Sequence, residues 1–173
     1  MFGKCVGVAL ASSVCLLFLG LEPSVVRAND TDAAEKPDAI ENLAGRWHGE
    51  GTMIPTSGRN EQFRCIITYV VDGEASRVRQ HLRCQGVNRD FDAVTSMDID
   101  EDKVTGVWAD NVYAINGTLA GTVTDTGFDI QLRSDYFDAK MSVVSSDCQQ
   151  TVKVTPNDRS GFMKELAATL KKC

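Results

Sequence analysis

The sequence predicts an all-β protein: an antiparallel up-and-down barrel of eight to ten strands, with a short helix before it and a helix after it. Three observations predict this. Apolar side chains recur at every second position from Trp47 to Val154. Gly- and Asp-rich turns cut that alternation into runs of strand length, and the body of the chain holds an even set of four cysteines. A two-sheet sandwich is the alternative for such a pattern. The barrel is preferred because closure leaves no edge strand free to pair with another chain.

The N-terminus reads as a cleaved leader over 1–28. Lys4 precedes an apolar run over 6–21, Pro23 breaks it, and Val26 and Ala28 put small side chains at the −3 and −1 positions of a cleavage site. The run is shorter than the ~20 residues of a membrane span, so no integral membrane segment is expected after cleavage. Lipidation at Cys15 is disfavoured because Val14, not a small residue, precedes it. Cleavage removes Lys4, Glu22 and Arg27, which moves the net charge from −6 to −7. Such a surface repels nucleic acid and anionic lipid, so neither is expected as a partner.

Residues 29–37 are acidic and unpatterned, the composition of a mobile tail, and 38–173 forms a single disulfide-bonded domain. Asp38 with Glu41 three residues later makes a capping box for a helical turn over 39–43, ended by Gly45. Period two then begins. Trp47, Gly49, Gly51 and Met53 share one face of the first strand; Phe63, Cys65, Ile67, Tyr69 and Val71 share a face of the second. Val78, Gln80, Leu82 and Cys84 follow, then Phe91 to Ile99, Val104 to Trp108, Phe128 to Leu132, Ala139 to Val143, and Val152 with Val154. Asn116-Gly117 is a hairpin signal, yet Tyr113, Ile115, Leu119 and Val123 keep their parity through it. One long strand bent at Gly117 and Gly121 is therefore expected there.

If the second and third strands pair with Glu74 and Ala75 at the tip, Val71 faces Val78, Tyr69 faces Gln80, Ile67 faces Leu82 and Cys65 faces Cys84. This register predicts a Cys65–Cys84 disulfide and leaves Cys148 for Cys173. Zinc is disfavoured because no two of these cysteines lie two to four residues apart. Over 160–172, Phe162, Met163, Leu166, Ala167 and Leu170 fit helical spacing, so a C-terminal helix stapled by Cys173 is expected.

The stretch Gly45-x-Trp47-x-Gly49-x-Gly51 resembles the first strand of the calycin barrels (lipocalins, avidins, fatty-acid-binding proteins), and in its fuller form the nitrobindin type. The resemblance covers about seven residues and the order barrel-then-helix. It implies a barrel whose interior can hold a small ligand. Nitrobindins bind haem iron through a late histidine. Here His48 and His81 are the only histidines, so no haem or other cofactor is expected.

Trp47, Tyr69, Trp108, Tyr113, Phe63, Phe91 and Phe128 all fall on the inward face. They either fill the barrel or line an apolar pocket with Tyr69, Gln80 and Thr95 as polar contacts. The candidate ligand residues are Trp47, Tyr69, Gln80, Trp108 and Tyr113. On the outer face Arg77, Arg79, His81 and Arg83 form a basic row that either docks an acidic partner or pairs with Asp90 and Asp92 as a solvated face. Asp98-x-Asp100-x-Asp102 lacks the glycine and glutamate of a calcium loop, so no metal site is expected. No nucleophile, metalloprotease or phosphate-loop motif occurs, and an enzyme is the least favoured class. The leading expectation is an exported barrel, periplasmic in a bacterium and otherwise secreted, that binds a small apolar or amphipathic molecule. The alternative is an interaction module with a filled core, an inhibitor or envelope adaptor.

Overall fold

The computed structural model describes residues 36–157 and 161–173. The expected leader over 1–28 and the tail as far as residue 35 lie outside them. Helix α1 (Lys36–Glu41) takes in two residues assigned to the tail, and its exit turns through Leu43 N–H to Ile40 O (3.1 Å) and Ala44 N–H to Glu41 O (3.0 Å). Ten antiparallel strands follow: β1 (Gly45–Pro55), β2 (Glu61–Val71), β3 (Arg77–Gln85), β4 (Asp90–Asp100), β5 (Lys103–Asp110), β6 (Ile115–Thr124), β7 (Gly127–Arg133), β8 (Asp138–Ser146), β9 (Gln149–Pro156) and β10 (Met163–Lys171). Each pairs with its sequence neighbours, and β1 pairs with β10 to close the barrel. Every ladder is satisfied and no edge remains.

The β2–β3 register is the predicted one, with Tyr69 opposite Gln80 and Cys65 opposite Cys84. Cys65 is bonded to Cys84 and Cys148 to Cys173. The expectation of a single strand through Asn116-Gly117 holds for β6, but that strand begins at Ile115, and Tyr113 sits in the turn before it. The Asp110 carboxylate makes that turn by accepting the backbone N–H groups of Val112 and Tyr113, both at 2.9 Å.

The C-terminal helix is not there. Residues 163–171 form β10, with Leu166, Ala168 and Leu170 inward at period two and a register shift opposite Ile54 and Pro55 that accommodates Met163. Tertiary demand overrides the helical spacing, because without β10 both β1 and β9 would be open edges. The glycines of the first strand answer to the same closure. A Cβ at Gly49 would run into the Thr169 carbonyl oxygen of β10, so the barrel seam needs glycine at that point.

The two ends of the barrel differ. At the end where β1 starts, α1 seats Ile40 and Leu43 over Trp47, Val78, Met97, Val104, Val143 and Leu170, all essentially without solvent exposure. The hairpin turns at this end are acidic, carrying Asp72, Asp100, Glu101, Asp125 and Asp147. This end is packed solid.

One polar cluster lies inside it. Tyr69 Oη donates to Gln150 Oε1 at 3.3 Å, while Gln150 Nε2 and Ser145 Oγ are buried without a hydrogen bond among the described residues. Burial pushes the Tyr69 phenol far above its ordinary value of 10.0, only partly offset by the Gln150 bond. A raised pKa means the neutral phenol supports the fold, fully below pH about 10 and progressively less as pH climbs toward the folded value. In a spectrophotometric titration of the three tyrosines, Tyr69 should ionise last and together with loss of the far-UV signal. Ionisation of all three before unfolding would contradict this burial.

Candidate functional site

The other end is hollow. Beyond the row Tyr69–Gln80–Thr95–Trp108–Gly117, aligned by pairing across β2 to β6, the inward side chains from β3 to β10 no longer meet. They leave a cavity walled by Leu82, Phe91, Ala93, Ile115, Leu132, Met141, Val154 and Leu166. The cavity measures about 130 Å³. That is below the roughly 300–1,000 Å³ of most ligand pockets, so it encloses a small molecule or one end of a larger one.

Aromatic rings flank the mouth in two groups. On one side Phe63 meets Phe91 with centroids 5.2 Å apart, and Phe91 meets Tyr113 at 6.0 Å. On the other Trp108 meets Phe137 at 5.9 Å edge-on, and Phe137 meets Phe162 at 6.0 Å. Phe137 is aimed inward by its turn: Ser134 Oγ accepts the backbone N–H of Phe137 at 2.8 Å, and Ser134 N–H donates to Phe137 O at 2.9 Å. The loops outside mix exposed Val87, Val112, Tyr136 and part of Phe162 with polar Arg59, Asn60, Asn88 and Asp135.

Few polar groups face the cavity. Asp110 lines it, but its carboxylate is committed to the Val112, Tyr113 and Asp92 backbone N–H groups, the last at 3.3 Å. Gln80 is 6% exposed, and its carboxamide makes no hydrogen bond with a described residue; Thr95 lines the wall beside it. The Trp108 indole N–H is buried with no partner among the described residues.

Of the five ligand candidates read from sequence, the structure brings Gln80, Trp108 and Tyr113 together on this cavity. Trp47 and Tyr69 belong instead to the packed end, because α1 covers that end with Ile40 and Leu43. Phe137, Phe162 and Met163 were not among the candidates. Phe137 had a legible signal, the second of two aromatics after the Ser134-Asp135 turn residues, whereas the spacing of Phe162 and Met163 fits a helix.

The basic row stands on the outer face of β3. Arg77 Nε meets Asp98 at 2.8 Å, Arg79 meets Asp72 at 3.2 Å, His81 meets Asp92 at 2.7 Å, and Arg83 lies opposite Asp92. The His81 hydrogen bond is the main cause holding the Asp92 carboxyl below its ordinary range. Such exposed pairs contribute little stability and leave little unpaired charge to draw a partner. His48 lies on the outer face of β1.

No protein-family model matches this chain, and no curated protein is similar to it in sequence. Solved structures do match. The S-type phycobiliprotein lyase CPES from Guillardia theta is 12% identical with a TM-score of 0.59, covering 79% of this chain and 91% of that one. Rv2717c from M. tuberculosis is 16% identical with a TM-score of 0.64, covering 82% of this chain and 99% of that one. At these identities the likeness is one of architecture, a closed antiparallel barrel, and it assigns no residue a role.

Proposed function

We propose that this protein is an exported calycin-like barrel that takes one small apolar or amphipathic molecule into the open half of its interior. The observation that carries the reading is the aromatic-lined cavity between Gln80, Trp108 and Phe137, open at one end in a barrel otherwise closely packed. Burying a flat apolar molecule there removes its surface and that of five rings from water, the dominant favourable term in such binding. Two disulfides suit a non-reducing compartment, and the leader read over 1–28 would deliver the chain to one. No described helix is long and apolar enough to cross a membrane.

One barrel of similar architecture is a phycobiliprotein lyase, which makes an open-chain tetrapyrrole the upper size to test. Such a molecule would project through the mouth here, since the enclosed space suits only a fraction of it. The first-strand motif favours the nitrobindin type within the calycins. Haem is not part of the proposal, because His48 and His81 both face outward. Binding is preferred to catalysis because the one carboxylate lining the cavity among the described residues, Asp110, is held by backbone N–H groups.

The test is native mass spectrometry of protein purified from its own host, with titration of N-phenyl-1-naphthylamine by fluorescence. The reading predicts one molecule bound per chain and its loss in Ala93→Phe, which fills the cavity at a stability change within about 3 kcal/mol. Absence of probe binding, or an Ala93→Phe variant that binds as the parent does, would remove the proposal.

A further inference from the structure

Three polar side chains, Gln80, Thr95 and Trp108, stand in one row across the cavity's inner wall. Gln80 pairs with Thr95 across β3 and β4, and Thr95 with Trp108 across β4 and β5. Gln80 is 6% exposed and Trp108 8%, yet neither side chain makes a hydrogen bond with a described residue. Their neighbour in the row, Tyr69, has its own partner in Gln150. Native interiors seldom leave buried amides and indoles unmatched, and such groups call for water or a ligand.

We infer that the cavity selects a neutral ligand with an amide- or lactam-type edge, held by Gln80 with help from Thr95. This rests on the reading of the cavity as a ligand site and specifies what that site recognises. The carboxamide of Gln80 presents a donor and an acceptor side by side, matched by an adjacent C=O and N–H on a ring. Thr95 adds a hydroxyl on the same wall. Among the described residues no lysine or arginine lines the cavity, so a carboxylate entering head-first would be stripped of water with no described cation to meet it. An ammonium would find, among the described residues, Asp110, whose oxygens are already taken.

A pure hydrocarbon would displace the water from Gln80 and Thr95 and leave both unpaired, whereas a lactam edge replaces those bonds. The selection is therefore read as a ratio of affinities that depends on Gln80, independent of how hydrophobic each probe is.

The experiment titrates 2-quinolone and 2-methylnaphthalene, which share a bicyclic outline, into the parent and into Gln80→Leu by calorimetry. The quinolone-to-hydrocarbon affinity ratio should fall about tenfold or more in Gln80→Leu, the worth of one to two hydrogen bonds. Hydrocarbon binding should be unchanged or tighter. Thr95→Val should lower the same ratio about threefold, and it carries the test if Gln80→Leu does not fold by circular dichroism. If 2-methylnaphthalene binds and the ratio is the same in parent and variants, the lactam inference is overturned while the ligand-binding reading stands. If neither probe binds the parent, both fall.

Discussion

Replacing Trp47 with alanine should lower the unfolding free energy by about 3–5 kcal/mol, the largest loss expected from any single substitution in this protein. The indole is wholly buried at the packed end, and its Nε1–H donates to Leu43 O at 2.8 Å, tying the exit of α1 to the first strand. Lys172 Nζ lies 5.0 Å from the ring centroid and donates to Asn42 O at 2.8 Å, so the last strand is drawn to the same point. Alanine would leave a large cavity where Ile40, Leu43 and Leu170 cannot all collapse, and a stranded Leu43 carbonyl besides. Trp47→Phe retains much of the volume and should cost about 1–2 kcal/mol. Urea melts check both, with alanine at the half-exposed Val107 as the control expected within about 0.5 kcal/mol of the parent. A Trp47→Ala loss below 1 kcal/mol would mean that the packed end is not packed.

Removing the Cys148–Cys173 disulfide should cost about 3 kcal/mol by chain-entropy reasoning, given a separation of 25 residues. The bond joins the β8–β9 turn to the residue just past β10, and Lys172 N–H donates to Cys148 O at 3.0 Å beside it. Without the tether, the seam between β10 and β1 depends on one terminal strand that the unfolded chain must bring back from a distance. Thermal melts of a Cys148→Ser/Cys173→Ser double variant should show a lower midpoint with the β signal intact below it. An unchanged midpoint would show that ladder pairing alone closes the barrel.

Where alternation was strict and both partners were neighbours, the fold could be read directly from the chain. The β2–β3 hairpin is the clearest case, since one register aligns Val71, Tyr69, Ile67 and Cys65 with inward partners and brings two cysteines together. The last strand could not be read this way. In Leu166-Ala167-Ala168-Thr169-Leu170 the leucines are four apart, which satisfies both a helix and a strand, and the two alanines favour the helix. What decides is the presence of two unpaired edges, β1 and β9, a property of the assembled sheet.

The site was legible in part for a related reason. Every row of the barrel shows the same alternation, so sequence places Trp47, Tyr69, Gln80 and Trp108 inside without distinction. Their division into a packed end and a hollow one depends on α1 seating Ile40 and Leu43, and on which hairpins turn at which end. Tyr113 reached the cavity from a turn rather than a strand, because Asp110-Asn111 initiates that turn and the alternation hid it.

The central claim is an interior filled around Trp47 and empty around Trp108, and crystals pressurised with xenon test it most directly. Xenon enters apolar cavities without needing hydrogen bonds. The account predicts xenon density between Ala93, Trp108, Phe137 and Leu166, with none among Trp47, Val143 and Leu170. Xenon at the Trp47 end, or Phe137 and Phe162 folded inward to occupy the space themselves, would contradict it.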